Sequence, residues 1–274
     1  MKLLMCLLTL MLVPFTISRA VEAQGGRTYT TNFPLTENPL SEGGNWINGQ
    51  TAGLDWKNFR TTPGFAFGTQ NGAGGPPYDD STAIVSGTWG PDQSVEATVR
   101  TVNQQTGGIY QEVEIRLRTT ITPHVNSGYE INWRCNHDGS QYQEIVKFNG
   151  PINSYTYLQQ NRGGRGLYDG DVIKATIVGS VIRVFQNGVQ IAQVSDSTFT
   201  SGSPGIGHWL RGPADGVDDY GFTNFSASDG PPLAPAAPAN LRIISRSDLD
   251  SHPFGLATPS TRLRMEGRNS RPQS

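Results

Sequence analysis

The sequence predicts an all-β protein, a sandwich or barrel of many short antiparallel strands. The chain of 274 residues contains 33 glycines and 18 prolines, which leaves little room for regular helices. No long segment carries apolar residues at the i, i+3, i+4 and i+7 spacing of an amphipathic helix. Instead, short runs rich in β-branched and aromatic residues recur between turn signals, which is typical of all-β domains.

Two turns support this fold class. In the segment SVIRVFQNGVQIAQV, Asn187-Gly188 lies between two alternating runs and suits the positive φ angles of a type I′ hairpin turn. A second turn is predicted at residues 136–139 (NHDG). We therefore expect the runs GYEINWRC and YQEIVKF on either side of it to pair antiparallel.

The start of the chain has the pattern of a secretory signal peptide over residues 1–23. Lys2 precedes the apolar run LLMCLLTLMLV, and residues 21–23 (VEA) form a small-residue cleavage site before Gln24. The apolar run is shorter than the roughly 20 residues of a membrane-spanning helix. We therefore expect a secreted protein, extracellular or periplasmic, that does not span the membrane. Cys135 is then the one cysteine of the mature chain, so no internal disulfide is expected.

The end of the chain differs in composition from the middle. A sandwich domain is predicted over residues 24–229, followed by a Pro/Ala-rich linker at residues 230–240 and a basic tail at residues 241–274 that we expect to be disordered. The domain is acidic, which argues against a nucleic-acid partner because phosphate binding requires a basic face. The sequence does not indicate an oligomeric state.

The segment GDVIKATIVGSVIRVFQNGVQIAQVSDSTFTSGSPGIGHWL, followed by DYGFTNFSA, resembles the C-terminal half of the concanavalin A-like lectin/glucanase superfamily, especially its laminin G-like domains. The shared features are a strand after Gly-Asp, an Asn-Gly hairpin and a Pro-Gly-Ile-Gly strand start. The resemblance spans residues 28–228 and is strongest over residues 170–227. It implies a two-sheet antiparallel jelly-roll β-sandwich with a concave face that often meets carbohydrate. It transfers no activity, because the superfamily includes lectins, hydrolases, lyases and protein-binding modules.

A polar face is predicted on the strand YQEVEIRLR. Successive side chains of a strand point to opposite faces, so Val113, Ile115 and Leu117 point to the core. The opposite face carries five polar side chains of this strand, and pairing with GYEINWRC adds further polar side chains. The predicted ligand-binding residues are Tyr110, Glu112, Glu114, Arg116, Arg118, Asn132 and Arg134.

Several functions fit this face. Our main expectation is a lectin-like protein that binds a polysaccharide, because arginine and carboxylate groups suit bidentate hydrogen bonds to hydroxyls and carboxylates. An enzyme is the alternative. A uronate-polymer lyase would use Tyr110 as the base and would neutralise the sugar carboxylate with Arg116, Arg118, Asn132 and Arg134. A glycoside hydrolase would use Glu112 and Glu114. A protein-binding adhesion module is a third function. Cross-strand ion pairs that only stabilise the sheet explain the same pattern.

The remaining residues give weaker indications of a metal site or of the edge of the binding face. No cofactor is expected to be required, although a structural Ca²⁺ joining the terminal strands would have Asp218, Asp219 and Glu37 as its candidate ligands. The histidines lack the spacing of metal ligands. Trp46 and Trp89 stand beside Gly- and Pro-rich loops and are predicted at the rim of the binding face.

Overall fold

The computed structural model describes residues 26–70, 72, 80–212 and 216–230. The predicted signal peptide, the basic tail and all but the first residue of the linker lie outside these residues. Within the described part of the chain the structure is nearly all β, with a 3-10 turn at Gln50–Ala52. No described helix is both long enough and apolar enough to cross a membrane. The all-β prediction is confirmed.

Fifteen strands form two antiparallel sheets that are not closed into a barrel. One sheet has the order β13-β12-β11-β6-β15-β4-β3, with β1 also paired to β15, and the other, which we call the site sheet, has the order β10-β9-β8-β7-β14-β5-β2. The strands are β1 (Thr28–Thr31), β2 (Trp46–Asn48), β3 (Phe59–Thr62), β4 (Phe65–Gly68), β5 (Ser81–Val85), β6 (Gln93–Thr101), β7 (Tyr110–Thr122), β8 (Val125–Arg134), β9 (Tyr142–Gly150), β10 (Tyr155–Arg162), β11 (Val172–Val178), β12 (Val181–Gln186), β13 (Val189–Ser195), β14 (Ser203–Arg211) and β15 (Tyr220–Asp229).

The main hydrophobic core lies between the two sheets. Val113, Ile115 and Leu117 of β7 are fully buried there, as the alternation predicts. Cys135 is buried in the same core as a free thiol. Because burying one such apolar side chain stabilises a fold by about 1.5–3 kcal/mol, this core can hold the domain without a disulfide.

The predicted turn at Asn187-Gly188 is confirmed, and so is the antiparallel pairing of the strands on either side of residues 136–139. Asn187 and Gly188 have φ angles of 51° and 79°, and they connect the antiparallel strands β12 and β13. The strands on either side of residues 136–139 are β8 and β9, which pair antiparallel. Local turn chemistry therefore set the Asn187-Gly188 connection as expected, whereas residues 136–139 belong to a longer loop, at residues 135–141, that bends at Asp138 and Gly139.

The prediction that Trp46 and Trp89 lie at the rim of the binding face is wrong. Their side chains are only 5% and 6% exposed, and both belong to the main core. The ring of Trp46 packs edge-on against Phe225 at 5.0 Å, and the Arg27 guanidinium lies 4.4 Å from the centre of the Trp89 ring. Neighbouring turn residues therefore did not place these side chains at the surface.

A second apolar cluster covers one end of the outer face of the site sheet, the face turned away from the core. It forms because the segment at residues 49–57, between β2 and β3, lies across that end. The members of the cluster are Leu54, Trp56, Ile84, Ile121, Val146 and Phe148. The remainder of the outer face is polar.

Candidate functional site

A pocket lies in the polar part of the outer face of the site sheet. Its cavity has a volume of about 180 Å³. Five strands (β7, β8, β9, β10 and β14) contribute to it, because they are consecutive neighbours in the sheet. The polar lining residues are Asp80, Glu112, Glu130, Asn132, Glu144, Arg162 and Arg211, and the aromatic ones are Tyr110, Tyr142, Phe148, Tyr155, Tyr157 and Trp209.

The register of β7 and β8 brings most of the predicted residues together. Opposite Glu112, Glu114 and Arg116 on β7 lie Arg134, Asn132 and Glu130 on β8. The next strand places Glu144 opposite Asn132. The shared polar face predicted from alternation is therefore confirmed for these residues of β7 and β8.

Arg116 lies beneath this face as the counterion of two carboxylates. Its Nη2 atom is 2.5 Å from Oε2 of Glu114, and its Nη1 atom is 2.9 Å from Oε2 of Glu130. The guanidinium lies 4.9 Å from the centre of the Trp56 ring, and the side chain is 1% exposed. Arg116 is thus enclosed by protein and paired with two carboxylates. This agrees with the interpretation of the polar face as an ion-pair network that stabilises the sheet.

Glycines on the neighbouring strand β14 make room for these side chains. Gly207 lies opposite Glu114, and a Cβ atom added to it would lie 1.8 Å from the Glu114 Oε2 atom. At Gly205 an added Cβ atom would lie 2.3 Å from the backbone oxygen of Ala83. The Pro-Gly-Ile-Gly segment therefore has glycines where the buried carboxylate and the adjacent strand need space.

Arg134 supports the pocket from behind. Its Nη2 atom donates to the backbone oxygen of Ile109 at 2.6 Å and to Asp138 at 2.8 Å, and its guanidinium lies 4.1 Å from the centre of the Tyr110 ring. Arg134 does not line the cavity. Its contacts hold Tyr110 in place as one of the aromatic walls.

The expectation that Arg118 shares the face of Arg116 is wrong. The register of β7 shifts between Leu117 and Thr120, and Arg118 has a φ of 46°, so a β-bulge interrupts the alternation. The guanidinium donates instead to three backbone oxygens, those of Pro91, Phe199 and Gly179, at 2.6 to 2.8 Å. Arg118 therefore connects loops away from the pocket.

The carboxyl groups of the pocket are perturbed by burial and by one another. Burial and then the nearby Glu130 raise the pKa of Glu112 well above its ordinary value, although the Tyr142 hydroxyl donates a hydrogen bond to it. Burial also raises the pKa of Glu144, which forms an ion pair with Arg162 at 2.5 Å. Such shifts mark a site where several carboxyl groups share too little positive charge.

Sequence reasoning missed several lining residues. Tyr142 and Glu144 alternate along QYQEIVKF as Glu112 and Glu114 do along β7, so the same rule could have found them. Asp80 and Trp209 carried no such signal. They reach the pocket because β14 lies beside β7 in the sheet, a neighbour relation that alternation does not encode.

The acidic residues do not form a fitting metal site. Asp80, Glu114 and Glu130 bring carboxylate oxygens within 4.8 Å of one another, but the Arg116 guanidinium already supplies the positive charge among them. No other such group occurs among the described residues. The candidate calcium ligands Asp218, Asp219 and Glu37 therefore form no cluster, and the Glu37 carboxylate accepts from the backbone of residues 41 and 42.

Comparisons with known proteins agree on the architecture. No protein-family model matches the sequence, and no curated protein matches it. Among solved structures, the carbohydrate recognition domain of Emp46p in its metal-free form is 10% identical, with a TM-score of 0.51 over 74% of this chain and 97% of that one. The carbohydrate-binding module CBM66 from Bacillus subtilis is 14% identical, with a TM-score of 0.45 over 70% of this chain and 96% of that one.

An endo-β-galactosidase from Clostridium perfringens that releases GlcNAcα1-4Gal is also similar, at 10% identity, with a TM-score of 0.48 over 77% of this chain and 64% of that one. Sequence identities this low are evidence for a shared fold and for nothing further. Together with the two antiparallel sheets, the similarity to the Emp46p domain shows that this chain folds as a jelly-roll sandwich.

Proposed function

We propose that this chain is an exported carbohydrate-binding protein and that a sugar of a polysaccharide binds in the outer-face pocket. The observation that carries the proposal is the pocket itself, with aromatic walls around a floor of carboxyl and amide groups. Pockets of this kind bind ligands whose apolar faces pack on rings while their polar groups form a few directed hydrogen bonds. A sugar ring has both surfaces.

Two further parts of the proposal rest on the sequence. Export rests on the signal-peptide pattern of residues 1–23, and the laminin G-like subgroup rests on residues 170–227. The similar Emp46p domain is a carbohydrate recognition domain, which is consistent with a glycan partner. The pocket, however, carries the proposal without them.

A glycoside hydrolase is the second candidate. It is favoured by Glu112, a buried carboxyl group with a raised pKa in a pocket that holds other carboxyl groups, which is the environment of a general acid. The lyase alternative is disfavoured, because the three arginines proposed as its neutralisers bind other groups, although Asn132, the fourth, lines the pocket. Arg116 and Arg134 bind protein groups, and Arg118 lies outside the pocket.

A matched pair of tyrosines tests where the sugar binds. Tyr157 lines the pocket and is 44% exposed, whereas Tyr168 is 49% exposed and does not line it. Removing an aromatic contact costs about 1 kcal/mol, which is roughly a fivefold loss of affinity. We expect Tyr157→Ala to show this loss for glycans selected from a polysaccharide panel, and Tyr168→Ala to bind as the wild type does.

The same incubation separates binding from catalysis. Retention without product supports a binding protein, whereas new reducing ends that disappear in Glu112→Gln support the hydrolase. Products with unsaturated ends would support the lyase instead. If no glycan of the panel is retained, or if both tyrosine variants bind equally well, the pocket is not the sugar site.

A further inference from the structure

The pocket holds more carboxyl groups than guanidinium groups. The carboxyl groups of Asp80, Glu112, Glu114, Glu130 and Glu144 are each at least nine-tenths buried. Three guanidinium groups lie near them, that of Arg116 beneath the floor and those of Arg162 and Arg211 in the pocket lining, and Arg162 is 58% exposed. The buried Arg134 contributes little here, because it pairs with Asp138 behind the pocket. A ligand entering this space meets an acidic floor.

The cavity lining contains a buried acceptor without a partner. Asn132 is 6% exposed, its amide nitrogen donates to Glu130 at 3.3 Å, and its Oδ1 atom accepts no hydrogen bond. The Oε1 atom of Glu114 and the Nε atom of Arg116 also lack partners, but both residues lie beneath the cavity and do not line it. The Tyr142 hydroxyl, by contrast, already donates to Glu112. Since buried polar groups need partners, the Asn132 Oδ1 atom lacks a donor that a ligand in the cavity could supply.

From the excess of carboxyl groups and the unused acceptor of Asn132 we infer that the pocket selects a sugar unit with a protonated amine, an amino sugar that lacks an acetyl group. An ammonium group brings three donors and one positive charge, and hydrogen bonds between ions are about twice as strong as neutral ones. A uronate would bring a further negative charge to the same floor. This inference rests on the proposed function, because it specifies the sugar for that site.

The ion pair between Glu144 and Arg162 allows a test in which two substitutions should change the affinity for an amine in opposite directions. Arg162 lies at the rim, where its guanidinium competes with any ligand cation for the Glu144 carboxylate. Removing the arginine should free that carboxylate, whereas removing the carboxylate should leave the arginine to repel the ligand. Two neighbouring substitutions should therefore change the affinity for an amine in opposite directions.

The experiment measures binding of the full chain to three oligosaccharides of equal length at pH 6: a glucosamine oligomer, its fully N-acetylated counterpart and an oligogalacturonate. We expect the glucosamine oligomer to bind at least about tenfold more tightly than the other two, and to weaken with added salt as ion pairing does. Glu144→Gln should reduce this affinity by about tenfold and Arg162→Gln should increase it severalfold, which are the changes expected for gaining or losing one charged contact.

Glu96 supplies the matched control. It is an acidic residue of β6 in the other sheet, paired with Lys174 at 3.3 Å, so Glu96→Gln removes the same charge outside the pocket and should leave the affinity unchanged. A loss in Glu96→Gln equal to that in Glu144→Gln would show general attraction to an acidic domain and overturn the inference. Preference for the N-acetylated or uronate oligomer, still dependent on Tyr157, would overturn the inference and leave sugar binding in place. Retention of no oligomer would overturn both.

Discussion

Replacing Arg116 by methionine should destabilise the domain severely. Methionine has a similar length and keeps the apolar contact with Trp56, but it leaves Glu114 and Glu130 without their buried counterion. Removing one partner of a buried ion pair costs about 3–5 kcal/mol, well above the 0.2–1 kcal/mol of exposed pairs. For a domain of this size, the melting temperature should fall by about 6–20 °C.

Urea unfolding at pH 7, followed by tryptophan fluorescence and circular dichroism, measures this loss. The double variant Arg116→Met, Glu114→Gln completes the comparison, because it removes one of the two stranded charges. We expect it to be more stable than Arg116→Met alone, by about 1–2 kcal/mol, through non-additive coupling between residues in contact. A loss below about 1 kcal/mol in Arg116→Met would refute the reasoning, since it would place this network among the exposed ion pairs.

Two further predictions concern residues outside the pocket. Burial lowers the pKa of His208 from 6.5 to about 3, so only the unfolded chain takes up a proton as the pH falls below 6.5. The free energy of unfolding should therefore fall by about 2 kcal/mol more between pH 6.5 and 5 in the wild type than in His208→Phe; equal slopes in urea titrations would contradict this. Arg118→Ala should cost about 2–4 kcal/mol in the same assay, because three backbone oxygens lose a charged donor, and should leave glycan affinity within about twofold. If Arg118→Ala instead reduced glycan affinity at unchanged stability, Arg118 would contribute to binding and the prediction would be wrong.

Much of the fold could be predicted because its signals are local. The positive φ angles of Asn187 and Gly188 follow from residue type at a tight turn, and alternation put Val113 in the core and Glu112 outside it. These properties depend on one strand or one turn at a time. Fold class and individual strands therefore follow from the sequence without knowledge of the sheet order.

The site was predicted only in part because it depends on which strands are neighbours. Asp80 and Trp209 are distant in sequence from Glu112 and reach it through the pairing of β14 with β7 and β5. Burial was a second difficulty. Arg116 was expected to meet a ligand, but the segment that carries Trp56 covers it, and no local pattern indicates that cover.

The bulge in β7 divides the strand into two halves with opposite tolerance to substitution. Before the bulge the odd-numbered Leu117 packs in the main core, whereas beyond it the odd-numbered Ile121 packs in the apolar cluster on the outer face. A saturation mutagenesis profile should therefore change phase at residues 118 and 119. An engineer who deleted one residue there to make the strand regular would rotate everything after it, and Ile121 would turn away from Trp56. The irregularity should thus be the part of β7 least tolerant of a change in length.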